Sequence, residues 1–112
     1  MATYGYERGS RSVSLAAVTG PVVGDVFGFV PFLGGSLPGI FAWDTIVTGS
    51  PATVSVTLEG SLDGTNWFVL ATNTSTSNAL SHVVDKPVRF IRAQLGTLTG
   101  GSSPTISVGI AA

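Results

Sequence analysis

A chain of 112 residues with no cysteine, a net charge of −1 and only 10% charged residues forms one small domain, able to bury roughly two thirds of the surface its unfolded form exposes. The missing cysteines exclude a disulfide framework, a thiolate metal site and a cysteine nucleophile. The basic residues, Arg8 with Arg11 and Lys86 with Arg89 and Arg92, are too few for the basic face that a nucleic acid requires. A charged fraction far below the usual quarter, about 25%, leaves two kinds of surface: neutral and polar, or buried against copies of the chain or a partner.

Residues 1–10, MATYGYERGS, show no apolar periodicity and are expected to form an extended N-terminal arm. Tyr4, Tyr6 and Arg8, with Arg11 just beyond, are its candidate anchors on a neighbour, because Tyr and Arg are enriched at interface hot spots. A frayed terminus is the plainer alternative. No apolar h-region of a secretion signal begins here, so synthesis in a cytoplasm is expected.

Residues 11–112 are expected to form a single β-sandwich domain. Val13, Leu15 and Ala17 alternate with Ser12, Ser14 and Ala16, the period of a half-buried strand. Thr19-Gly20-Pro21 breaks it, and a short strand is predicted over Val26–Phe29. After the loop Gly34–Gly39, Ile40–Val47 is a strand with Phe41, Trp43, Thr45 and Val47 on one face and Ile40, Ala42, Asp44 and Ile46 on the other. Thr53–Glu59 alternates most cleanly, with Val54, Val56 and Leu58 inward. Trp67–Ala71, Leu80–Val84, Val88–Leu95 and Thr105–Ile110 complete about eight short strands, and no stretch has helical periodicity with caps. The class is all-β, a jelly-roll-like sandwich of antiparallel strands or a small barrel.

Val26–Trp43 has no charge over eighteen residues. A helix of that length spans a bilayer, but four glycines and two prolines inside a β-rich chain argue against a membrane segment. The run is also too long and glycine-rich to be interior to one small sandwich. It reads as a surface packed against a neighbouring subunit, with Phe27, Phe29, Phe32, Leu33, Ile40 and Phe41 as contacts in a homo-oligomer, a trimer favoured.

No reactive constellation stands out. The single histidine, His82, lies in a segment with Leu80 and Val84 on its face and has no local ligand partner. Glu7, Asp25, Asp44, Glu59, Asp63 and Asp85 are scattered singly, and the sequence sets no two of them at a glycosidase separation. No GxSxG elbow or phosphate-binding glycine loop occurs, and Asn73-Thr74-Ser75 matches a glycosylation sequon only weakly. No catalytic residue, metal or cofactor is expected, and the chain is read as a non-enzyme.

Two motifs carry a resemblance. EGSLDGTNWFVL, Glu59–Leu70, sets Asp63-Gly64 at a hairpin turn with Trp67 after it, and VDKPVRFIRAQL, Val84–Leu95, follows. The pair resembles the later part of discoidin-like, galactose-binding-like jelly rolls, whose ligand loops vary, so no binding residue transfers. From about Ile46 to the C-terminus the chain also resembles small structural proteins of tailed bacteriophages. That resemblance implies a virion component, most simply a capsid decoration or cement protein that bridges capsomers and has the major capsid protein or other virion proteins as partner. The alternative is a tail or fibre module binding a cell-surface carbohydrate through the polar loops Thr72–Asn78 and Thr99–Ser103, with a tryptophan as stacking platform.

Overall fold

The computed structural model describes residues 11–28 and 39–111. In chain order the strands are β1 (Ser12–Val18), β2 (Val22–Val23), β3 (Phe27–Gly28), β4 (Phe41–Thr48), β5 (Thr53–Ser61), β6 (Phe68–Asn73), β7 (Ala79–Val83), β8 (Phe90–Thr99) and β9 (Thr105–Ala111). One sheet has the order β1-β9-β4-β7; the other has β2-β8-β5-β6, with β3 also on β8. Every pairing is antiparallel, and no helix occurs among the described residues. Apart from the β5–β6 hairpin and the β2–β3 step, successive strands change sheets, the winding of a jelly roll. The all-β sandwich expected from the sequence is the fold observed.

The core lies between the sheets and follows period-two patterning. Val54, Val56 and Leu58 of β5 face Phe41, Trp43 and Thr45 of β4, while Ile91, Ala93 and Leu95 of β8 and Ile106, Val108 and Ile110 of β9 fill the centre. Branched and aromatic side chains fit this pleated, half-buried surface, and each fully buried one contributes about 1.5–3 kcal/mol.

Two local features depart from simple alternation. β1 is bulged against β9 on both sides of Leu15, so Ser14 and Leu15 both turn inward while Val13 is partly exposed; an extra residue in one strand moves those after it to the other face. The Asp63-Gly64 turn is also broader than a tight hairpin. Residues 62–67 link β5 to β6, with Gly64 at φ +79°, a conformation that costs glycine nothing.

Candidate functional site

Four charged side chains are engaged in two structural pairs. Arg11 lies across the outer face of the first sheet and donates from Nε and Nη2 to Asp44 at 2.7 and 2.8 Å. Asp44 also accepts from Gly109 N–H at 2.9 Å. The Arg11 hydrogen bonds, assisted by this N–H, hold its carboxyl below the ordinary range. A Cβ at Gly109 would occupy the place of the Arg11 guanidinium, so the glycine keeps the bridge closed. On the outer face of the second sheet, Arg92 Nε donates to Glu59 Oε1 at 2.9 Å and its guanidinium stacks 4.0 Å from the centre of the Trp67 ring. Gln94, its amide turned to donate, reaches Glu59 Oε2 at 3.2 Å.

His82 stands exposed on β7, opposite Ala42 of β4. Among the described residues no group of three or more His, Asp or Glu side chains is placed to hold a metal ion. The acidic groups instead organise backbone: Asp63 accepts from the N–H groups of Thr65 and Asn66 at 2.8 Å each and from Asn66 Nδ2 at 2.7 Å.

The residues expected at an oligomer interface separate. Phe27 and Phe41 are interior to the chain's own sandwich, because β3 and β4 direct them between the sheets, and they offer nothing to a neighbour. Ile40, one residue before Phe41 and on the opposite face, is 64% exposed. Phe29, Phe32 and Leu33 lie outside the described residues, as do Tyr4, Tyr6 and Arg8 of the arm. Arg11, expected to reach a shell, is committed to Asp44.

The most exposed apolar side chains among the described residues are held outward in two places. Around the β5–β6 hairpin, Leu62, Phe68 and Val69 are exposed by 61–66%. On the outer face of the first sheet, the register setting Phe41 opposite Val83, Ala42 opposite His82 and Asp44 opposite Leu80 puts Leu80 and His82 on the same face as Ala42 and Asp44, with Ile40 and Val84 just past its end and Ile46 further along β4. Leu80 is 78% exposed and Val84 48%.

The polar loops gather at one end of the sandwich. Ser102 N–H donates to Gly49 O and Ala52 N–H to Thr99 O, both at 2.8 Å, and Val47 N–H donates to Asn78 Oδ1 at 2.8 Å. Val47, Gly49, Ser50, Thr76, Ser77 and Asn78 line an open recess there. Neither tryptophan reaches it. Trp43 is buried, and Trp67 precedes the residue opposite Gly60, at the far end of β5 from Thr53 and Thr99, on the order of 20 Å away at strand spacing. The loop-and-tryptophan platform expected for a sugar is therefore not assembled from these parts.

No family model matches the chain, and no curated protein matches it. Among solved structures, the crystal structure of the SPBc2 prophage-derived protein YomS is similar with a TM-score of 0.60 at 12% identity, covering 90% of this chain and 89% of that one. A variant of the carbohydrate binding module CBM29-2 matches with a TM-score of 0.45 at 12% identity over 93% of this chain and 92% of its own. A family 29 carbohydrate binding module gives 0.44 at 12% identity, over 91% and 87%. At such identity the likeness is one of fold: over nearly its whole length the chain shares the β-sandwich of the prophage protein.

Proposed function

We propose that this chain is a non-enzymatic virion structural protein of a tailed bacteriophage, a decoration protein that adheres to the assembled head. The observation that carries the reading is the solvent exposure of three apolar side chains at the β5–β6 hairpin, Leu62, Phe68 and Val69. They stand on a sandwich in which Arg11 is paired with Asp44 and Arg92 with Glu59. Exposed apolar side chains on a rigid hairpin are what a docking surface needs, and large ones are costly to leave in water without a use. The fold shared with a prophage-derived protein and the phage-like second half of the sequence support the particle as the setting.

The test is co-sedimentation with heads assembled from the major capsid protein of the same phage genome. Saturable binding that Phe68→Asp weakens at least tenfold is the expected result. A tenfold loss corresponds to about 1.4 kcal/mol, modest for an apolar anchor. Failure to bind heads, together with retention on a glycan surface, would replace this reading with a carbohydrate-binding one.

A further inference from the structure

We infer that β7 is a self-association edge, through which two copies of this chain join their first sheets across a two-fold axis. The proposal is independent of shell binding and rests on how the four sheet edges differ. An open edge offers unpaired N–H and C=O groups to any strand that fits, and folded proteins normally blunt it with bulges, short strands, charge or proline. Three edges here are blunted. β1 is bulged twice against β9, β2 and β3 are two-residue pieces, and β6 is bulged in its pairing with β5.

β7 has none of these protections. It pairs with β4 over five consecutive residues without a shift of register, and its sequence, ALSHV, contains no proline, lysine, arginine or carboxylate. Among the described residues no strand occupies its other side. The outward row along it is Leu80, His82 and Val84, all exposed and none of them a carboxylate or ammonium, with exposed Ile40 on β4 beyond. The carboxylate opposite Leu80, Asp44, is neutralised by Arg11.

A second copy is the occupant these features fit. An axis normal to the sheet keeps every side chain on its own face, so only registers pairing odd with odd and even with even positions are allowed. Centred on Ser81, such a pairing sets Leu80 of one copy opposite His82 of the other on the outer face; centred on Leu80 or on His82, it sets that residue opposite itself. No like-charged carboxylates or ammonium groups meet, and the low charge of the chain opposes association little. Five residues extend only about 16 Å, so the contact belongs with small, reversible interfaces. Its dissociation constant is expected in the micromolar range.

Sedimentation velocity on the full chain, from about 1 to 500 µM, reads this directly. The wild type is expected to pass from monomer to dimer, and Leu80→Lys to raise the dissociation constant at least tenfold while its thermal unfolding stays unchanged. Because the chain lacks cysteine, Leu80→Cys and His82→Cys each provide one thiol. A short bis-maleimide should cross-link both variants as dimers and leave Thr57→Cys, on the other sheet, monomeric. A monomer at every concentration without cross-linking would overturn the proposal, and so would a dimer that ignores Leu80→Lys and cross-links equally through Thr57→Cys. Strong protection of the β7 amides from hydrogen exchange in such a monomer would instead place the chain's own residues on the edge, also overturning it.

Discussion

Asp63 shows how one carboxylate shapes a loop. Backbone N–H groups of Asn66 and Thr65, then the Asn66 side-chain amide, hold its carboxyl well below the ordinary carboxylate range. Its folded-state pKa is therefore lower than the unfolded value of about 3.9. As pH falls, the unfolded chain takes up the proton first, so the contribution is complete above the unfolded pKa and is lost as pH drops through the folded one. Asp63→Ala is accordingly expected to lower the urea midpoint at pH 7, with the gap from wild type closing steadily below about pH 4. Asp63→Asn, which keeps one acceptor oxygen, should fall between them. A gap that persists unchanged in acid would show that the carboxylate is not the source. Asp44 titrates in the same direction but is present in both proteins and cancels in the comparison.

At the scale of the element, alternation is legible where a strand is regular and illegible where it is bulged. Val54, Val56 and Leu58 read inward from the sequence and are inward, and Phe41, Trp43 and Thr45, read as sharing one face of their strand, share the buried one. β1 reads as though Val13, Leu15 and Ala17 shared the buried face, but its bulges place Ser14 beside Leu15 in the interior. A bulge is specified by what the extra residue bonds to, here a partner far along the chain. Ser14 Oγ donates to Asp25 O at 2.8 Å and accepts from Ala93 N–H at 2.9 Å, while Asp25 N–H donates to Ser14 O. One hydroxyl thus joins β1 of the first sheet to β8 of the second. Gly24 is in tight contact, and a Cβ there would fall 2.5 Å from Ser14 O. Ser14→Ala leaves Ala93 N–H buried without its acceptor and should cost about 1–3 kcal/mol in urea unfolding with an unchanged m-value. A loss near zero would mean that water or a shifted backbone replaces the hydroxyl.

For the whole molecule, sheet order matters more than any one segment, and this is why the candidate surfaces were less legible than the core. Leu80 and His82 of β7 share a face with Ala42 and Asp44 only because β4 pairs with β7. The charge-free run that suggested an interface is divided by the pleat into buried Phe41 and exposed Ile40. The same order makes β9 the strand on which the first sheet depends, since it lies between β1 and β4. Ile106, Val108 and Ile110 are fully buried there. At about 1.5–3 kcal/mol each, their burial is comparable to the 5–15 kcal/mol net stability of an ordinary domain. Truncation after Ser103 also strips the backbone partners of two strands at once, leaving groups that cost free energy to bury unpaired. The shortened chain is expected to show no cooperative thermal transition and to lose the near-ultraviolet circular dichroism of buried Trp43. A cooperative melt in that truncation would mean that the second sheet and the β1 segment hold a core of their own, and that the two sheets fold as separable units.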